Sequence, residues 1–223
     1  VEDMALYIEF QALPVEGPRQ RDENRFWLTA SQWAESELMD AQTMGLIPEI
    51  LMGVDLTRNM TREEFAAVAV TLYERLTGEA AQLESYNPFA DTENVEVLKA
   101  WRLGLIEGIS QSRFAPGAIL SREQAVTMLA RVYKRYAMPG WSLEHDESFP
   151  LKAKGDSLFT DHAVISTWAR NAVYFMVEQG IVCGIGSGRF GPESPITREQ
   201  ALILSLRAAT KFSFDSEKST PTL

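Results

Sequence analysis

Thr61-Arg62-Glu63-Glu64, Ser121-Arg122-Glu123-Gln124 and Thr197-Arg198-Glu199-Gln200 are three versions of one string. A Ser or Thr followed three residues later by Glu or Gln is the capping box of a helix start, in which each residue satisfies a backbone donor of the other. Apolar residues then recur at helical spacing. They are Phe65, Val68, Ala69, Leu72, Tyr73 and Leu76 after the first string, and Ala125, Met128, Leu129, Val132, Tyr133 and Tyr136 after the second. After the third come Ala201, Leu204, Ser205, Ala208, Ala209 and Phe212. Each string therefore predicts a capped helix with one buried stripe.

Upstream of each arginine, by 17 or 18 residues, stands a glycine with two aliphatics: Gly45-Leu46-Ile47, Gly104-Leu105-Ile106 and Gly180-Ile181-Val182. A glycine in this place ends a preceding helix. The residues before it have the helical period, most clearly Ile165, Trp168, Ala169, Ala172, Val173 and Met176. Trp33-Ala34, Leu38 and Ala41 match in the first copy, and Val97, Leu98 and Trp101 in the second. Between the landmarks the last two copies share Arg113-Phe114-Ala115-Pro116 and Arg189-Phe190-Gly191-Pro192. Each unit is thus helix, glycine turn, loop and capped helix. One such hairpin cannot cover its own apolar stripe, so three must pack together. The expectation is an all-α fold of three helix-loop-helix repeats in a pseudo-threefold bundle. The units span 28–78, 86–136 and 158–212, with an extension at 1–27, an insertion at 137–157 and a flexible tail at 213–223. Alternating apolar residues from Met4 to Phe10 suggest a strand in the extension. Trp141, Leu143, Phe149 and Leu151 suggest that the insertion packs on the body, whereas Glu144-His145-Asp146-Glu147 reads as a solvated loop.

Composition narrows the function. The 223 residues carry 31 acids against 21 bases, a net charge of −10, so long-range repulsion opposes nucleic acid and anionic membranes. No apolar run is long enough for a membrane span. The one cysteine, Cys183, allows no internal disulfide, and its apolar neighbours mark it as a small buried hydrophobe. The two histidines, His145 and His162, have no partner at a telling spacing, and no nucleophile elbow, zinc cluster or phosphate loop occurs. Neither catalysis nor a cofactor or metal is expected.

Arg62, Arg122 and Arg198 are the anomaly, because a cation in the first helical turn opposes the helix dipole. Two readings stand. The guanidinium bonds a neighbouring loop or acid, or it combines with free backbone N–H groups to make a pocket for a carboxylate. In the third unit Gly184-Ile185-Gly186-Ser187-Gly188 would let a ligand approach backbone closely.

These landmarks resemble the S-layer homology family. The third unit follows its pattern in Phe159-Thr160-Asp161, Trp168-Ala169, Gly180-Ile181-Val182, Gly186-x-Gly188-x-Phe190-x-Pro192 and Thr197-Arg198-Glu199. The second keeps Phe89-Ala90-Asp91, Phe114-x-Pro116 and Ser121-Arg122-Glu123. The first keeps Trp33-Ala34 and Thr61-Arg62-Glu63 but lacks Phe-x-Asp and the Gly-x-Gly loop. The resemblance implies an extracellular module that anchors a surface protein noncovalently to the bacterial cell wall. It would do so by binding an anionic, often pyruvylated, secondary cell-wall polysaccharide in grooves between repeats. Carried over by position, the ligand-binding candidates are Arg62, Arg122, Arg198, Gly186 and Gly188, with Trp33, Trp168, Asp91 and Asp161 near the unit starts. Divergence of the first unit puts its groove in doubt. The alternative is a structural or protein-interaction module of a surface layer, contacting other surface-layer or parent-protein domains without binding polysaccharide.

Overall fold

The computed structural model describes residues 25–83, 85–153 and 159–219, with side chains as far as Ser213. About half of the described residues are helical, and among them only isolated β-bridges occur and no strand. The expected strand at Met4–Phe10 lies outside the described residues.

Six α-helices carry the three units: α1 Glu35–Thr43 and α2 Arg62–Thr77, α3 Val95–Arg102 and α4 Arg122–Ala137, α5 Thr167–Glu178 and α6 Arg198–Ser219. The second helix of each unit begins at its string. Thr61 Oγ1 accepts from the Glu64 N–H while Glu64 Oε2 accepts from the Thr61 N–H, and the Ser121/Gln124 and Thr197/Gln200 pairs repeat this exchange. Each cap is worth about 1 kcal/mol. The first helices end on left-handed glycines, with φ of 69°, 76° and 71° at Gly45, Gly104 and Gly180.

The helices of one unit are not each other's main partners. α2, α4 and α6 pack together at the centre, and each first helix lies against the second helix of the preceding unit: α3 on α2, α5 on α4, and α1 on α6. The simple hairpin expected from the sequence is therefore corrected to an exchange across units. Because α1 returns to α6, the exchange closes into a ring. At its axis the residue before each cap donates to the next copy in turn. The Met60 N–H donates to the Ile196 carbonyl at 2.8 Å, Ile196 to Leu120 at 3.2 Å, and Leu120 to Met60 at 3.0 Å. All three side chains are fully buried, which contributes about 1.5–3 kcal/mol apiece.

Three local differences from expectation follow from packing. Trp27 is buried in the core, and the Leu28 N–H donates to the Val54 carbonyl. In the later units Ala90 and Thr160 donate likewise to Ser112 and Gly188, so Trp27-Leu28-Thr29 fills the place of Phe-x-Asp, and the body begins before residue 28. In the insertion Trp141 is buried, its ring lying against Gly104. Asp146 accepts both Trp141 Nε1 and Lys134 Nζ at 2.7 Å, so this acid of an otherwise exposed stretch ties the insertion to α4. Last, α6 continues to Ser219, where the sequence suggested a flexible tail from 213.

Candidate functional site

The arginine of each string reaches into the loop of the following unit. Arg62 donates from Nε to the Phe114 carbonyl at 3.0 Å and from Nη2 to the Glu107 carbonyl at 2.8 Å, with its guanidinium 4.6 Å from the centre of the Phe114 ring. Arg122 repeats this one unit on. Its Nη2 donates to the Cys183 carbonyl at 2.6 Å and the group lies 5.3 Å from the Phe190 ring centre, while its buried Nε has no partner among the described residues. Arg198 closes the ring on the first unit, donating from Nη1 to the Asp55 carbonyl at 2.9 Å. It departs from the others by a two-point ion pair with Glu64, Nε to Oε2 at 3.1 Å and Nη2 to Oε1 at 2.5 Å.

Backbone N–H groups beside the arginines, expected to be open to an anion, are occupied. Those of Arg62 and Glu63 donate to the Ala118 and Pro116 carbonyls, those of Arg122 and Glu123 to Ser194 and Pro192, and those of Arg198 and Glu199 to Arg58 and Leu56. The next two N–H groups are taken by the cap residue's own oxygens. The neighbouring loop satisfies the helix start, so an anion could meet only the guanidinium. Burial, with Arg131 nearby, lowers the Arg62 pKa, and deeper burial pulls Arg122 down to about 10. Both remain charged at neutral pH.

Asp91 and Asp161 face the loops. Asp91 accepts the N–H groups of Phe114 and Ala115 at 2.8 and 2.9 Å, and these bonds hold its carboxyl below the usual range. Asp161 does the same for Phe190 and Gly191, both at 2.8 Å; slight burial opposes the ionised form, but the two bonds prevail and its pKa is also lowered. This accounts for Ala115 at φ 59°, a left-handed non-glycine held where the third unit has Gly191. Gly186 and Gly188, with φ of 96° and 67°, turn the tip of the third loop, and the Gly188 carbonyl accepts from the Thr160 N–H at 2.7 Å. Since these glycines belong to the third loop, they share a seam with Arg122 and not with Arg198.

The tryptophans face outward. Trp33 is 42% and Trp168 56% exposed. Trp168 is thus corrected from the core face to the surface; Ile165 lies in extended backbone before α5 begins, so their three-residue offset carries no helical angle. A groove of about 770 Å³ joins Arg62, the Ile106–Ile109 loop, Gln124, Arg131, Lys134 and Trp168. Within it Arg131 pairs with Glu107 and Lys134 with Asp146, whereas among the described residues no carboxylate pairs with Arg62. The structure thus brings together Arg62 and Trp168, two of the expected residues, from different units.

Residues that sequence reading did not single out complete the seams. Glu123 accepts from both the N–H and the Oγ of Ser166, at 3.0 and 2.8 Å, and Glu199 does the same for Ser31 at 2.9 and 2.8 Å. Each acid caps the next unit's first helix. The signal was present in the glutamate common to all three strings. Gly108 and Gly184 are needed because a Cβ at either would stand under 3 Å from a loop carbonyl.

Three interlocked helical units, with a groove at the Arg62 seam, define a repeat module. Residues 158–202, within the third unit, match the S-layer homology domain. An endoglucanase of Bacillus sp. (strain KSM-635) is 30% identical over 65% of this chain, and the exoglucanase XynX of Acetivibrio thermocellus 27% identical over 65%. The surface-layer 125 kDa protein of Lysinibacillus sphaericus is 28% identical over 47%. The chain spans only 14%, 12% and 8% of the lengths of these relatives. The S-layer homology domain associates the module with the cell surface. Among the described residues no helix is long and apolar enough to cross a membrane.

Proposed function

We propose that this module holds its parent protein noncovalently on an acidic polysaccharide of the bacterial cell wall, and that any catalysis by the parent resides in another part of it. The observation that carries the reading is the groove in which exposed Trp168 stands with Arg62, a cation with no carboxylate ion-paired to it among the described residues. A sugar ring stacks on the indole, and a carboxylate on that sugar, such as a pyruvate ketal, takes the outward edge of the guanidinium. In a chain of net charge −10, such a local cation is what lets an anion bind at all. Arg62 and Arg122 are the ligand-binding arginines in this reading, and Trp168 and Trp33 the platforms. Gly186 and Gly188 shape the approach to Arg122, whereas Asp91 and Asp161 hold the loops. A polymer engaging two grooves gains avidity from one chain. The competing reading, a lattice or interaction module without polysaccharide binding, is favoured by the arginines' bonds to the loops.

Calorimetric titration of purified wall polysaccharide, native and depyruvylated, into the wild type and Trp168→Ala separates the two. Trp168 is exposed, so its loss leaves the fold intact. Affinity is expected to fall at least tenfold with Trp168→Ala or on depyruvylation, a loss of about 1.4 kcal/mol or more. Equal affinity for the two polymers overturns the carboxylate pairing. Undiminished pelleting with walls stripped of polymer supports the lattice reading instead.

A further inference from the structure

The three seams have the same backbone plan but differently charged contents. The third residue after each cap is Glu64, Gln124 or Gln200, and all three close the same capping box. Only Glu64 carries a charge, and that charge is engaged in two-point contact with Arg198. The pair is largely enclosed, with side chains 16% and 9% exposed, but Arg122 is as enclosed at 8%, so what sets this seam apart is the internal carboxylate. Among the described residues no carboxylate pairs with Arg62 or Arg122. The platform differs in the same direction. Two residues after Ser31 and Ser166 stand Trp33 and Trp168, whereas two after Asn94, the cap of α3, stands Glu96, paired with Lys99 at 2.9 Å. Arg198 thus has an internal acid on its cation, and by ring order the position at its seam that matches the tryptophans is held by Glu96.

We infer that Glu64 closes the Arg198 seam to acidic ligands by occupying its guanidinium from within, so that anion recognition is confined to the seams of Arg62 and Arg122. This deepens the polysaccharide reading and rests on it. A ligand carboxylate reaching Arg198 would have to displace a tethered one already in bidentate geometry, leaving a buried charge without a partner. The closed seam also follows from the ring order. The first unit, whose loop lacks the Gly-x-Gly turn, contributes Glu64 to the arginine of the third unit, so its divergence is felt at Arg198 and not at its own Arg62.

Glu64→Gln is the direct test, because glutamine already serves this position in the other two caps; a thermal melt checks that the variant folds. The probe is a methyl hexoside bearing a 4,6-pyruvate ketal, titrated into 15N-labelled protein while the indole N–H signals of Trp33 and Trp168 and the Nε–H signals of the three arginines are followed. In the wild type the tryptophan signals are expected to move and Arg198 to stay still. In Glu64→Gln the Arg198 signal is expected to titrate at least tenfold more tightly than before, with the Trp168 response unchanged. Arg198 titrating alongside Trp168 in the wild type overturns the inference, as does a silent Arg198 in the variant while Trp168 responds. Silence of both tryptophans overturns the polysaccharide reading itself, and this inference with it.

Discussion

A glycine at ordinary φ is required only where something leaves no room for a side chain. At Gly108 a Cβ would stand 2.5 Å from the Ser110 carbonyl oxygen and 2.8 Å from both the Arg113 oxygen and the Phe89 ring, whereas at Gly117 nothing lies within 4 Å. Gly108→Ala is expected to cost about 2–3 kcal/mol through displaced loop backbone. Gly117→Ala, at ordinary φ, should be neutral or stabilise by about 0.4–1 kcal/mol by restricting the unfolded chain. Urea titration of the two variants checks the contrast, and equal destabilisation would remove the close-approach argument. Neither requirement could be read from sequence, since both depend on which backbone the folded loop brings near. Asp91 and Asp161 show the same limit. Their recurrence was visible, but their role in gripping the loop's N–H groups is set by distances that only the folded chain fixes.

Among the elements, the capped helices were the most legible, because a cap and a 3.6-residue stripe are local signals. All three capping boxes form where the strings predicted them. Partner choice between helices was not legible, since an apolar stripe states that a face is buried and not against what. The seam acids make this measurable. Glu123 and Glu199 each accept two bonds from the start of the next unit, while Glu63 accepts one long bond of 3.4 Å from Asn94, which caps its own helix. Replacement of Glu123 or Glu199 by Ala should destabilise by about 1.5–3 kcal/mol, the usual loss for hydrogen bonds to a charged group. Glu63→Ala should lie within about 0.5 kcal/mol of the wild type. Three equal effects in chemical denaturation would show that the acids act on their own helix dipoles and not across the seams.

For the whole molecule, the number of units was evident in the repeats, but the closed ring was not, because no local pattern states that the last unit returns to the first. Closure makes stability collective. Removal of residues 159–223 takes away α5 and α6, uncovering the faces of α4 and α1 that they cover and leaving the Met60 N–H without its acceptor. The remainder is expected not to fold, whereas the intact chain should unfold in one transition, seen alike by tryptophan fluorescence and far-ultraviolet circular dichroism. A truncated chain with a cooperative melt of its own would mean that the units are stable in series. Of the candidate site, Arg62 and Trp168 were both named from sequence, yet their meeting in one groove depends on this circular order. The neutralisation of Arg198 by Glu64 spans 134 residues and left no trace that spacing could show.

The triangle of backbone bonds at the axis has a mechanical side. In an open stack of helical hairpins the terminal one has a single neighbour, so tension on the polypeptide peels the stack from its end. Here each hairpin is flanked on both sides, and detaching any one parts two junctions at once. For a tether that joins a moving surface to whatever hangs from it, that removes the frayed end at which failure would begin.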